Sequence, residues 1–197
     1  NLTDSVDLAV WGEGEYLLLE ICERIKADKD FSKIPRLIQK KENEIIVSAE
    51  LRSNYLDLNE ELYPDFDDYI KQAGIPEEYF IPSIEGSRSC HWKKCKFCYY
   101  SKGVKYRKKT PERILKEIEF FTDKYPEISR ICFIDSDIVG DNIENFENFI
   151  DLVNDFNRKN DNKLNLVNLE INSKGLDNRL IKKLAIAGAT NVVVGFE

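Results

Sequence analysis

In the second half of the chain, apolar positions recur at helical spacing in three stretches, and each stretch is followed by a short continuous apolar run. Ile114, Leu115, Ile118 and Phe121 form the first stripe, behind Thr110 as cap and Pro111 in the first turn. Phe146, Phe149, Ile150, Val153 and Phe156 form the second. Leu180, Ile181 and Leu184 form the third, between a cap at Asp177 and a stop at Gly188. Residues 130–134, 164–171 and 192–196 read as the strands that follow these helices, and 79–84 as an earlier strand. The alternation predicts an α/β fold with four parallel strands and right-handed crossovers, whose functional groups gather at the C-terminal strand ends. Half of a β/α barrel and an open doubly wound sheet both satisfy this rhythm.

The first half is less regular. Residues 6–11 read as a strand, 12–14 as a turn and 15–29 as an amphipathic helix with Leu18, Leu19, Cys22 and Ile25 on one face, together half of a βαβ unit. Residues 34–39 and 44–49 suggest a small hairpin, and 65–73 a short helix ending at Gly74.

Hydrophobic residues at 42% and charged ones at 33% describe an ordinary folded protein, and no apolar run approaches the roughly 18 residues that span a bilayer. With no membrane segment or signal peptide in view, a cytoplasmic location is expected. Five cysteines, three of them crowded into one loop, argue against a disulfide framework and for a reducing compartment. Cys22 and Cys132 stand among apolar positions and read as small buried hydrophobes. A net charge of -7 disfavours general nucleic-acid binding, although Lys93, Lys94, Lys96, Lys102, Lys105, Arg107, Lys108 and Lys109 make one stretch basic. Such a run forms a solvated face or steers an anionic substrate or peptide. The chain starts at Asn1 without methionine and stops within an apolar run, and so reads as a fragment of a longer protein.

The chemistry concentrates in the loop after the first predicted strand. Cys90, Cys95 and Cys98 follow a C-x4-C-x2-C spacing, and thiolates suit zinc or iron–sulfur clusters. A structural zinc site closes its tetrahedron with a fourth protein ligand, but no second cysteine pair follows and His91, the only histidine, is adjacent to Cys90. Three ligands without a fourth describe a cubane cluster with one open iron better than a zinc knuckle.

This loop resembles that of the radical S-adenosylmethionine enzymes, whose usual spacing is C-x3-C-x2-C with an aromatic residue before the last cysteine, here Phe97. The first gap is one residue longer in this chain. Glu85, Ser87, Arg88, Cys90 and Trp92 are similar to the E-x-SRGCWW opening of the cobalamin-binding members that modify ribosomally made peptides. Residues 7–15 resemble the D-x-V-x-x-GEGE segment closing their cobalamin-binding domain, and 64–69 their P-D-aromatic-D-D-Y linker. Residues 106–109 match a Y-R-x-K element.

The resemblance implies a partial (β/α) barrel, its first four βα units at 79–197, preceded by a linker at 31–78 and by the edge of a Rossmann-like cobalamin-binding domain at 1–30. It implies a [4Fe-4S] cluster on Cys90, Cys95 and Cys98, with S-adenosylmethionine on the open iron and cobalamin held mostly outside this chain. Phe97, Asp135, Ser136, Glu170, Asn172 and Glu197 fall at positions that contact the cofactor in the family, although the frequent Gly-Gly-Glu string is absent at the second strand end. The implied reaction is reductive cleavage to a 5'-deoxyadenosyl radical, hydrogen abstraction and C-methylation of a precursor peptide, with flavodoxin or ferredoxin as electron donor. An RNA, lipid or other small-molecule substrate, or a zinc-binding interaction module, are the alternatives.

Overall fold

The computed structural model describes residues 6–41, 44–48, 55–99, 104–160, 164–173 and 176–195. The chain divides into two units, Asn1–Asp57 and Leu58–Glu197.

In the first unit β1 (Leu8–Val10) is followed by α1 (Glu15–Lys26), β2 (Leu37–Lys41) and β3 (Glu44–Val47). The expected hairpin is present, since β2 and β3 pair antiparallel, with Ile38 opposite Val47. β1 adds to the other edge of β2, also antiparallel, so the strand–turn–helix is not closed by a parallel partner among the described residues. The small core is Leu17, Ile21, Ile34 and Leu37, with Leu8, Val10 and Phe31 packed against it. The expected face of α1 is therefore corrected. Leu17 and Ile21, one turn apart, are buried, whereas Leu18, Leu19 and Ile25 are about 60% exposed and Cys22 is exposed rather than buried. The helix carries apolar residues on more than one side, and in this unit only the Leu17 side meets the core.

The second unit begins with α2 (Asp67–Ala73), a 3₁₀ turn at Glu77–Tyr79 and β4 (Ser83–Ile84). The predicted strand 79–84 is thus reduced to two residues, because its first part is taken by the turn and Pro82 has no N–H to donate. The Pro82 carbonyl still joins the sheet by accepting from Cys132 N at 2.9 Å. There follow β5 (Ser87–Arg88), β6 (Arg107–Lys108), α3 (Pro111–Lys124), β7 (Arg130–Phe133), α4 (Ile143–Lys159), β8 (Asn165–Val167), β9 (Leu169–Asn172), α5 (Asn178–Ile186) and β10 (Val192–Gly195). The caps expected at Thr110 and Asp177 are made, their side chains accepting from Arg113 N at 3.2 Å and Leu180 N at 2.7 Å.

β4 lies parallel to β7, β7 parallel to β8, and β9 parallel to β10. The third predicted strand is broken at Asn168, which takes φ +58, a conformation asparagine tolerates better than most residues. Its side chain donates to the Phe133 carbonyl at 2.8 Å. The half before the break pairs back to β7 and the half after it pairs forward to β10. The parallel strands therefore neighbour one another in chain order, whereas a doubly wound sheet reverses its order at the switch point.

Ile84, Ile118, Phe121, Ile131, Phe133, Ile150, Val153, Leu166 and Leu169 fill the core of this unit. On β7 burial alternates, Ile131 and Phe133 inward, which leaves Cys132 part-exposed rather than buried as the sequence suggests. Buried Asn157 pins α4 to its neighbours, donating to the carbonyls of Leu164 and Ala187 and accepting from Leu164 N, all at 3.1 Å. No helix among the described residues is long and apolar enough to cross a membrane.

After α5 the chain turns through Gly188 at φ +82, where a Cβ would stand 2.6 Å from the Leu164 carbonyl oxygen. Gly188→Ala combines a left-handed backbone with a clash against backbone, and is expected to cost about 2 kcal/mol or more. Urea unfolding of the two proteins side by side measures it.

Candidate metal centre

The cysteine loop is the tip of a hairpin. β5 and β6 pair antiparallel, Ser87 opposite Lys108 and Arg88 opposite Arg107, and Lys109 N donates to the Gly86 carbonyl at 2.8 Å. Charge tightens this base. Arg88 binds Glu85 from Nη2 at 2.7 Å and from Nε at 3.0 Å, and approaches Glu61 at 3.4 Å. Lys109 lies 2.7 Å from Glu117 of α3, both side chains 2% exposed, with Arg113 at 3.6 Å from the same carboxylate. Burial pushes the Glu117 carboxyl up, against the opposing pull of Lys109 and Arg113. Removing one partner of such a pair strands the other, so the pair fixes where the loop can leave the fold. Of the basic run, Lys109 is thus an internal ion-pair partner, Lys108 binds Asp141 at 2.8 Å, and Lys94 lies over the Trp92 ring at 4.7 Å. Lys102 lies outside the described residues.

Two carboxylates from the end of β7 hold the hairpin from below. Asp135, 3% exposed, accepts from Gly86 N at 2.9 Å and from Ser87 Oγ at 2.6 Å. Burial outweighs these bonds and pushes its carboxyl up to about 6. Asp137, 4% exposed, accepts from Gly140 N and Asn172 N, each at 3.3 Å, and both its oxygens receive Asn172 Nδ2, at 3.1 and 3.0 Å. His91 Nδ1 stands 2.9 Å from Asp137 Oδ2, at ion-pair distance though without the alignment of a directed hydrogen bond. Tyr106, on the returning limb, meets the His91 ring edge-on at 6.0 Å. A Cβ at Gly140, which has φ +66, would stand within bonding distance of the Tyr106 hydroxyl, so glycine is what lets the two segments meet. Burial first, then the carboxylates of Asp141, Asp137 and Asp135, push the Tyr106 phenol up.

Cys90, Cys95 and Cys98 are free thiols of intermediate exposure, and the C-x2-C turn is closed by Cys98 N donating to the Cys95 carbonyl at 3.2 Å. A single tetrahedral zinc would draw its sulfurs to within about 3.8 Å of each other, given Zn–S bonds of about 2.3 Å. Among the described residues the only ligand group within 4.8 Å is Cys90, His91 and Asp137, so the three thiols do not converge on one ion. Thiolates that each bind a separate iron of a cluster are spread more widely, and a donor set of three soft ligands on one loop fits that use.

The strand ends bring together Cys90, Asp135, Asp137 and Asn172. Ser136 is half-buried between the two aspartates, Glu170 is exposed on β9 with its carbonyl accepting from Ile138 N at 2.9 Å, and Phe97 is 72% exposed. Glu197, the fourth strand-end carboxylate, lies outside the described residues. The sequence places Asp137 in the polar Asp135-Ser136-Asp137 string at the second strand end without giving it a role, and it gives no signal that His91 approaches it. Ser87 and Tyr106, taken only as motif letters, have specific contacts.

Solved structures of radical S-adenosylmethionine enzymes that work with cobalamin contain a part of similar fold. Among these, the chain is similar to the methyltransferase TsrM from Kitasatospora setae, seen with tryptophan substrate and an S-adenosylmethionine analogue, at 20% identity and a TM-score of 0.71. It is also similar to OxsB, a cobalamin-dependent S-adenosylmethionine radical enzyme seen with aqua-cobalamin and S-adenosylmethionine, at 17% identity and a TM-score of 0.72. The likeness covers 97% of this chain and 37% of TsrM, and 96% of this chain and 28% of OxsB, so the chain spans well under half the length of either. No protein-family model matches the chain, and no curated protein does.

Because the folded state raises the Asp135 carboxyl from 3.8 to about 6, it binds a proton there more tightly than the unfolded chain. That contribution to stability is complete below about pH 4 and is lost as pH rises through about 6, on the order of 3 kcal/mol in all. Asp135→Asn keeps the shape without the titration. Unfolding free energies from pH 4 to 6.5 are expected to fall more steeply in the wild type than in the variant.

Proposed function

We propose that this chain carries the cluster-binding part of a radical S-adenosylmethionine enzyme, with Cys90, Cys95 and Cys98 as the thiolates of a [4Fe-4S] cluster. The observation that carries the reading is three free thiols on one loop that leaves the C-terminal end of β4 and is held against the two aspartates at the C-terminal end of β7. In parallel β/α folds that face is where ligands are held.

The four parallel strands are then the first units of a (β/α) barrel at 79–197. Residues 31–78 are the linker and 1–30 the edge of a Rossmann-like cobalamin-binding domain. Such a cluster supplies the electron that cleaves S-adenosylmethionine reductively, and cobalamin supplies a methyl group. The chain's own residues bind and orient. Glu85, Arg88 and Lys109 hold the loop base, and Asp135, which accepts from Gly86 and Ser87, ties that base to the end of β7. Phe97, Asp135, Ser136, Glu170, Asn172 and Glu197 are the residues proposed to contact the cofactor. The product class we propose is a C-methylated peptide, on the likeness of Glu85, Ser87, Arg88, Cys90 and Trp92 to the peptide-modifying members. Flavodoxin or ferredoxin is the proposed reductant and the cytoplasm the proposed compartment.

The test is iron and sulfide content and the absorption spectrum after anaerobic reconstitution, in wild type, Cys95→Ala and Cys98→Ala. About four irons per chain, lost in both variants, with a spectrum perturbed by S-adenosylmethionine, are expected. Zinc alone, or a cluster indifferent to these cysteines, would return the loop to a binding module.

A further inference from the structure

We infer that His91 and Asp137 form a positioning pair for Cys90, an inference that rests on the cluster reading above. Three segments converge on the Asp137 carboxylate: the turn after β7 through Gly140 N, β9 through the backbone and side chain of Asn172, and the cysteine loop through His91. A carboxylate 4% exposed and held by these N–H groups has one place to be. Its Oδ2 stands 2.9 Å from His91 Nδ1, close enough to restrain the ring by contact without a directed hydrogen bond, and Tyr106 bounds the ring from the returning limb.

The imidazole belongs to the residue next to the first thiol. A ring nitrogen of His91, a carboxylate oxygen of Asp137 and Cys90 Sγ all lie within 4.8 Å of one another. Adjacent residues on a loop cannot be moved independently, so locking the ring to β7 also sets the direction from which Cys90 presents its sulfur. Groups that orient a ligand in this way typically change metal retention by about tenfold to a hundredfold when removed, and the polar groups around a cluster tune its potential. The same pair explains how the sole histidine serves the site without being a ligand.

The test uses the whole chain, anaerobically reconstituted, as wild type, His91→Phe, Asp137→Asn and the double variant. Iron release to a chelator and the midpoint potential of the cluster are the readouts, and thermal melting of the cluster-free proteins checks folding. Asp137→Asn alters a buried hub, so His91→Phe, at a part-exposed loop position, keeps the test decisive if that variant does not fold. All variants are expected to take up iron. Release should be about tenfold faster in His91→Phe, no faster in the double variant than in the faster single one, and the His91→Phe midpoint should shift. Wild-type release and midpoint in His91→Phe, multiplicative effects in the double variant, or one divalent ion bound through His91 would each overturn the pair. If wild type binds no cluster, or Cys95→Ala keeps it, the cluster reading itself fails and the pair fails with it.

Discussion

Everything near the cysteine loop depends on two carboxylates buried at the end of one short strand. β7 ends in Phe133, and within four residues the chain places Asp135 and Asp137 where water does not reach them. Burying a carboxylate is unfavourable unless polar hydrogens surround it, and here those hydrogens come from other segments: Gly86 and Ser87 for Asp135, Gly140 and Asn172 for Asp137, with the His91 ring close by. The need to satisfy the two charges is what draws the ends of β4, β7 and β9 together. The raised carboxyl of Asp135 records that its burial is not fully compensated.

The fastening leaves a particular kind of site. The base of the hairpin is rigid, through the β5–β6 ladder and the internal Lys109–Glu117 pair, while its tip exposes Trp92, Phe97 and Tyr99 at 41, 72 and 86%. A fastened stem with an exposed tip suits a loop that must meet a cofactor, since the point of departure of the thiolates is fixed. The family-like string from Glu85 to Arg88 acquires a physical meaning in this setting. Glu85 and Arg88 neutralise each other at the stem, and Ser87 is the donor that Asp135 requires.

Much of the second unit was legible from local patterns. The stripes of α3, α4 and α5, the caps at Thr110 and Asp177 and the stop at Gly188 are local events, decided by side chains within a turn of each other, and they appear where the sequence puts them except at Ile181, which is 48% exposed while Leu180 and Leu184 are buried. The first unit was less legible because its strands are short and its helix is apolar on more than one side. Which side of α1 is buried depends on where the small sheet lies, and no periodicity within the helix contains that information.

The sequence by itself determined the element order of the α/β unit, the three-thiol spacing and the polar character of the strand ends, because propensity, capping and ligand type are properties of neighbouring residues. Only the tertiary structure decided the rest. The break at Asn168 arises because one strand must pair with β7 before it and β10 after it. The outward turn of Cys132 follows from the pleat, and the assignment of Asp135 to the loop stem from which N–H groups lie near it. In the sequence His91 is a poor fourth ligand because it adjoins Cys90. Its partner is 46 positions away in the sequence and 2.9 Å away in space, and such long-range proximity is created by packing.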